Sequence, residues 1–357
     1  MTIAIQRHPN PPAPPTKDFG FGQIFTPHIF KLDYREGSWR SPRIEPYGPI
    51  TLDPSCKVFH YGQEIFEGMK AYKNPRDGSV HMFRPDKNIR RFNVSCGRMC
   101  MPPVDEALFL EALELLIDLD RAWVPVSPEA LYIRPTMIAT QRGLGVKAST
   151  EYQFFIIVGP VGSYFARGIS PLRLKAEEKY VRSAPGGTGF AKTGGNYAAA
   201  LLPIKIAESE GFDNIIWLSA EGRKHVEEMG AMNIAFIYDD KIITAPTGET
   251  ILDGVTRDSC GVLLRDFGHK WVEERPLIAQ VCADADSGKL KEAFACGTAA
   301  VVTPIGVMHY GGADHKVGDG QEGPVTKRLR EALCEIHTGT SKLHPEWVHR
   351  VPARAKG

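Results

Sequence analysis

Apolar residues recur along this chain at two spacings. Between Val104 and Arg121, Leu108, Phe109, Ala112, Leu113 and Leu116 fall at helical spacing, which predicts a helix with that stripe against a core. Asp86, a good N-cap, opens a helix through IRRFNVSC with Ile89, Phe92 and Cys96 on one side. Val325, Leu329, Leu333 and Ile336 predict another over 325–337. A further helix runs from Asn196 to about Glu210, stopped by Gly211, and Thr256 caps one ending near Gly268. Short apolar runs predict strands at VFHYG (58–62), SVHMF (79–83), LYIRPTMIAT (131–140) and YQFFIIVGPV (152–161). LRLKAEE (172–178), DNIIWLS (213–219), AMNIAFIY (231–238) and KIITAP (241–246) follow, the last two joined by a turn at Asp239–Asp240.

Strand-rich segments in both halves predict a mixed α/β fold, of the α+β class, in two domains. The length of 357 residues agrees with that number at roughly 150 residues per domain. Residues 1–17 carry five prolines between Pro9 and Pro15 and are expected to form a flexible extended arm. A first α/β domain is expected over 18–160. VGSYFARGISP (161–171), with little periodicity, is expected to connect it to a second domain over 172–357.

Composition narrows the classes of function. The 43 basic and 42 acidic side chains give a formal charge of +1, without the basic excess that nucleic-acid backbones require. The seven cysteines are odd in number and scattered, which predicts buried reduced thiols in a cytoplasmic protein. Cys96 and Cys100 are four apart, but no second Cys or His pair follows at zinc-site spacing, so no metal is expected. MTIAIQRHPNPPAPPTK lacks the apolar stretch of a secretory signal, and no run of 18 apolar residues suggests a membrane span.

The segment most suggestive of chemistry is SAPGGTGFAKTGGN (183–196). GTGFAKT invites comparison with the P-loop, but Ala191 stands where that loop needs the glycine before its lysine. A surface lysine on a glycine loop is the plain alternative. A third reading is a lysine among small residues, reachable by a bulky carbonyl cofactor and able to form a Schiff base. Pyridoxal phosphate makes further demands: a carboxylate for its ring nitrogen, a donor for its phenolic oxygen, and an arginine, hydroxyls and helix N-terminal amides for its phosphate.

HYGQEIFEGMKAY (60–72), FRPDKNIRRF (83–92), LYIRP (131–135), GGTGFAKTGGNYAAALL (186–202), EEMGAMNIAF (227–236), ILDGVTRDS (251–259) and CGTAAVVTP (296–304) stand in one order. Together they resemble the branched-chain-amino-acid aminotransferases, pyridoxal-phosphate enzymes of fold type IV, over roughly residues 20–350. The resemblance implies a smaller N-terminal α/β domain and a larger C-terminal, cofactor-binding domain with a pseudo-barrel. It implies that Lys192 is the Schiff-base lysine, that Tyr197 bonds the phenolic oxygen, and that Glu228 faces the ring nitrogen. The pattern E-x-G-x-M-N fits Glu228 and not Glu227, and on a strand the two side chains point to opposite faces. Arg91 matches the phosphate arginine, with Arg90 about 100° away on the same helix. Val255 and Thr256, at a helix opening, and Thr298 complete the phosphate set.

For substrate the resemblance implies Phe21, Tyr61, Phe66, Tyr132, Tyr164, Met232 and Ala299, with the Tyr61 hydroxyl and the Ala299 amide addressing the α-carboxylate. Core packing is the alternative for each aromatic residue. Arg134, two residues after Tyr132 and therefore on the same strand face, resembles the arginine that receives the distal carboxylate of glutamate. Val146 matches a loop that reaches across a dimer interface, so a homodimer is implied. Two departures stand out. Ala300 and Thr303 replace a C-x-x-C pair found in mammalian members, and Ala231 replaces a threonine of some relatives. The implied reaction moves an amino group from leucine, isoleucine or valine to 2-oxoglutarate. A D-amino-acid aminotransferase, an aminodeoxychorismate lyase and a non-catalytic pyridoxal-phosphate carrier remain open beside it.

Overall fold

The computed structural model describes residues 1–162 and 170–354, which form two compact units. Residues 1–162, 191–194 and 335–354 make one and 170–190 with 195–334 the other. A boundary at the 161–171 connection would put 191–194 and 335–354 in the second unit. The strand Val348–Arg350 instead pairs antiparallel with Val80–Phe83, so the C-terminal segment completes the first sheet and the units are of similar size. Residues 163–169 of that connection lie outside the described residues.

The first unit holds a nine-stranded sheet. Its centre is Tyr152–Val161 against Ala130–Ala139, paired along their whole length with no slip. His28–Arg35 and Ser38–Pro46 extend one side, while Met69–Lys73, Val80–Phe83 and Val348–Arg350 extend the other. Glu64–Phe66 pairs with Thr136–Ile138. The helices Pro85–Arg98 and Glu106–Leu119 cover this sheet, and Phe92, Phe109 and Phe154 meet with ring centroids 4.7–5.3 Å apart in the core. The second helix is capped by Asp105, whose side chain accepts the Leu108 amide at 2.8 Å. In the first, Pro85 occupies the first turn and Arg84 the cap at φ 46°, so Asp86 lies within the helix rather than capping it. VFHYG is not a strand: Lys57–Tyr61 is one helical turn closed by Gly62 at φ 56°. The N-terminal arm is not free along its length. Ala4–Ile5 pairs parallel with Arg43–Ile44, Ile3 is buried, and the His8 amide donates to His28 Nε2 at 2.8 Å.

The second unit holds the other nine-stranded sheet, mixed in sense. Val301–Tyr310 pairs antiparallel with Glu292–Gly297 through residues 301–304 and parallel with Leu172–Glu177 through 305–309, shifting register at Gly306. Val226–Met229, at one end of the strand order, turns through Gly230 (φ 53°) into Asn233–Ile237, and the Met229–Met232 bridge curls the sheet back on itself into a half-barrel. The expected 196–210 helix is two helices, Gly194–Ala198 and Leu201–Ser209. Pro203 explains the break, because its ring has no N–H to donate to residue 199 and crowds that carbonyl. The helix Val255–Asp266 is capped by Gly254, so Thr256 is its second residue. Among the described residues no helix is long and apolar enough to cross a membrane, no cluster of metal-ligating side chains occurs, and all seven cysteines are free.

Candidate active site

In the first unit, Lys192 is anchored through its backbone. Its N–H donates to Ser95 Oγ at 2.9 Å and its carbonyl accepts the Phe66 amide at 3.0 Å. Thr193 Oγ1 donates to the Glu64 carbonyl at 2.7 Å, and the Gly194 amide donates to the Glu64 carboxylate. A Cβ on Gly194 would run into that carboxylate, which is why glycine follows there. Burial pushes the Glu64 carboxyl up, opposed by the Gly194 amide and by Arg134.

The Lys192 amine lies 4.8 Å from the Phe66 ring centroid, and the Arg134 guanidinium lies 4.6 Å from the same centroid. Arg134 also donates to the Tyr132 hydroxyl at 3.0 Å, as two side chains on one strand face should. Its Nε is buried with no hydrogen-bond partner among the described residues. Phe21 meets Tyr132 edge-on at 4.9 Å, and only a glycine at 68 leaves room for the Tyr132 hydroxyl. Five of the expected residues, Lys192, Phe66, Arg134, Tyr132 and Phe21, therefore form one contiguous group.

Arg91 and Arg90 differ as expected from their helix positions. Arg90 is exposed, 3.8 Å from Asp86 and Glu106, whereas Arg91 is nine-tenths buried in a bidentate pair with Glu67 at 2.7 and 2.9 Å. Burial opposes ionisation of Glu67, but Arg91, Lys192 and the Asn88 amide outweigh it and hold its carboxyl below the usual range. Glu67 was not anticipated, although it lies beside Phe66. The Tyr61 hydroxyl is donated to the Leu144 carbonyl, so it could address a carboxylate only by giving up that bond. Lys57, on the same helical turn, donates to the Gly145 and Lys147 carbonyls, and the loop they hold presents Val146 at 87% exposure.

In the second unit the central group is Glu228. Oε1 accepts the Leu252 amide at 3.1 Å and Asn233 Nδ2 at 3.2 Å, and Oε2 lies 2.8 Å from Arg182 Nε in a buried ion pair. Asn233 also donates to the Leu252 carbonyl at 3.2 Å, tying the strand to the ILDGVT loop that leads into Val255 and Thr256. A Cβ on Gly254 would strike Asn233 Oδ1, so glycine is required where the loop passes. Glu227 points the other way, toward Thr250. Met232 packs over Gly297, the residue before the Thr298–Ala299 turn. That turn ends in Val301 at φ 57°, a left-handed conformation costly for a β-branched residue. Tyr197 is half-buried on the Gly194–Ala198 helix, and Tyr164 lies outside the described residues.

The first unit supplies an amine; the second, taken by itself, supplies a buried carboxylate paired with an arginine and a helix N-terminus behind a glycine. The Amino-transferase class IV family matches residues 64–307, more than half of the chain. The chain belongs to the class IV aminotransferases. Among its relatives, Branched-chain-amino-acid transaminase 1 of Bacillus subtilis (strain 168) is 49% identical over 353 residues, 98% of each chain. Branched-chain-amino-acid aminotransferase of Mycobacterium tuberculosis (strain ATCC 25618 / H37Rv) is 44% identical over 339 residues, 93% of this chain and 92% of that one. The T.th. branched-chain amino acid aminotransferase solved with pyridoxamine 5'-phosphate superimposes with TM-score 0.75 at 26% identity, over 90% of this chain and 98% of that one. The PLP-form enzyme from Thermobaculum terrenum, at 23% identity and TM-score 0.78 over 92% and 100%, shares the fold.

This class IV aminotransferase carries two further residues that its sequence did not single out. Arg182 pairs with a glutamate 46 positions later, and no local spacing signals such a pair. Asn233 stood inside the E-x-G-x-M-N motif, where a role as the clamp between Glu228 and Leu252 was open to inference.

Proposed function

We propose that the protein catalyses reversible transfer of the amino group of leucine, isoleucine or valine to 2-oxoglutarate, giving the branched-chain 2-oxo acid and glutamate, with pyridoxal 5'-phosphate as cofactor. The observation that carries this reading is Glu228, a buried carboxylate held by an amide, a side-chain amide and Arg182. The residues fit the cofactor. Arg182 favours the ionised form of Glu228, which a ring nitrogen needs if it is to stay protonated. Gly254 opens a twelve-residue helix whose first amides suit a phosphate. When bound, the cofactor supplies an electron-accepting ring that stabilises charge developing at the substrate's Cα.

The protein's own groups do the rest. Lys192 Nζ would hold the cofactor covalently and, once released, would take the proton from the substrate's Cα and return it to the cofactor's aldehyde-derived carbon, on the far side of the substrate nitrogen. Ser95 and Phe66 fix the Lys192 backbone on both sides, so that only the side chain moves. Tyr197 donates to the phenolic oxygen, and Arg91, Val255, Thr256 and Thr298 hold the phosphate. Glu67 fixes the plane of the Arg91 guanidinium for that task. Phe21, Phe66 and Tyr132 supply apolar surface for a branched side chain, and the family resemblance adds Tyr61, Met232 and Ala299 to the substrate set. Arg134 answers the second carboxylate of glutamate. The protein acts as a cytoplasmic homodimer: seven free cysteines suit a reducing compartment, and Val146, exposed at its loop tip, is open to a second copy.

A visible spectrum of the purified protein tests this reading. The cofactor band should change on adding leucine and return on adding 2-oxoglutarate. Lys192→Ala should retain some cofactor, because the phosphate contacts remain, and lose turnover. A band that leucine leaves unchanged would favour the non-catalytic carrier.

A further inference from the structure

Glu64–Phe66 pairs antiparallel with Thr136–Ile138, with Phe66 opposite Thr136 and Glu64 opposite Ile138. Alternation along the two strands therefore puts Glu64, Phe66, Tyr132 and Arg134 on one half-buried face, while Ile65 and Ile133 enter the core. Arg134 lays its guanidinium over Phe66, toward the strand that carries Glu64. Among the described residues it forms no ion pair: it donates to the Tyr132 hydroxyl, lies over the Phe66 and Tyr132 rings, and keeps Nε buried without a hydrogen-bond partner.

Glu64 feels that charge without touching it. Burial pushes its carboxyl up, and the Gly194 amide and then Arg134 pull it back. The amide is received by Oε1, which leaves Oε2 uncommitted. A guanidinium whose counter-charge stands at a distance is compensated only in part. Beneath a branched apolar side chain, Glu64 supplies the compensation. Beside a substrate with a distal carboxylate, two carboxylates share one guanidinium and repel each other, and a half-buried site screens that repulsion less than water does.

We propose that Glu64 is a specificity-determining residue, the standing counter-charge of Arg134, which holds back glutamate and 2-oxoglutarate and favours branched apolar substrates at the shared site. The inference rests on the transaminase reading and on Arg134 as receiver of the distal carboxylate. Glu64→Gln tests it, because glutamine keeps an oxygen for the Gly194 amide and loses the charge. Half-reaction rates of the holoenzyme, followed by the cofactor's visible band, are measured against the concentration of glutamate and of leucine. The glutamate-to-leucine ratio of kcat/KM should rise at least fivefold, chiefly through a lower half-saturating concentration of glutamate, with limiting rates within twofold of normal. Glu64→Ala also drops the amide beside Lys192, so it should lower both limiting rates while shifting the ratio the same way. The ratio does not depend on what fraction of a variant folds. A Glu64→Gln ratio that is unmoved, or moved toward leucine, overturns the proposal and leaves Glu64 as a support for Gly194. If that variant does not hold the cofactor, the Glu64→Ala ratio decides by the same criterion. Failure of the underlying reading shows elsewhere, as a band in the unaltered enzyme that glutamate leaves unchanged or as equal losses for both substrates in Arg134→Leu, and either result overturns the role of Glu64 with it.

Discussion

Adjacent glutamates, Glu227 and Glu228, are both buried, so burial does not separate them. Their partners do. Glu228 has Arg182, Asn233 and the Leu252 amide, whereas Glu227 has one hydroxyl. Glu228→Gln removes the charge that keeps a ring nitrogen protonated, so single-turnover rates with leucine should fall far more than cofactor affinity. Glu227→Gln should leave those rates within a few-fold of normal. A reversal of the two effects would exchange the assignments. Arg134 makes a different claim. Its guanidinium stacks on the ring that Lys192 also approaches, and its buried Nε has no hydrogen-bond partner among the described residues. A charge-assisted hydrogen bond is worth ~1.5–3 kcal/mol, roughly ten- to a hundredfold. Arg134→Leu should cost the glutamate and 2-oxoglutarate half-reactions that much and largely spare leucine. Equal losses for both would make Arg134 a support for Tyr132 and Phe66 instead. The sequence alone revealed the same-face placement of Tyr132 and Arg134, because strand alternation needs no tertiary information. It was silent about Glu67 and Arg182, whose partners are set by packing between distant segments.

Elements were legible where one face is apolar and the other wet. The stripe at Leu108, Phe109, Ala112, Leu113 and Leu116 forms the helix Glu106–Leu119, and all of its members are buried. The hairpin His28–Arg35 to Ser38–Pro46 escaped notice because its outer face is charged and Pro42 interrupts the pattern. Two of those charge pairs cross the strands, Lys31 with Glu45 at 2.7 Å and Arg43 with Asp33 at 2.7 Å, and a third, Arg43 with Glu45 at 2.9 Å, runs along one strand. VFHYG misled for a different reason. Val, Phe and Tyr favour strands, but Lys57 at its head is drawn inward to two loop carbonyls, and that tertiary pull selects a helical turn. One local signal can be tested by itself. Asp105 accepts the Leu108 amide at the helix start, so Asp105→Ala should lower stability by about 1 kcal/mol and shift the urea midpoint down, while Asp105→Ser should largely restore it. No midpoint shift in the alanine variant would mean that packing against the sheet alone holds this helix.

At the scale of the molecule, the pH dependence of stability turns on groups that bind protons differently in the folded and unfolded chain. His337, at the end of the helix Pro324–His337, is the clearest of them. Its ring stacks on Tyr72 at 4.8 Å and meets Phe83 edge-on at 4.4 Å, and it is only 5% exposed. Burial, reinforced by the nearby Lys70 charge, lowers its pKa to about 3 from the ordinary 6.5. The folded protein therefore holds His337 neutral where the unfolded chain binds a proton. Stability from this group is fully present above about pH 6.5 and is lost progressively as pH falls toward 3. Between pH 7 and 5 the loss amounts to about 2 kcal/mol at 1.36 kcal/mol per unit. His81, also lowered by burial, adds in the same direction. Glu67, held below the usual carboxylate range, loses its contribution only at lower pH. Urea unfolding at pH 7 and pH 5 should thus show a falling stability, and His337→Gln should flatten most of that fall while costing packing at both values. An unchanged slope in the variant would mean that His337 is protonated in the folded protein, and that Lys70 does not stand close enough to its ring to oppose the charge.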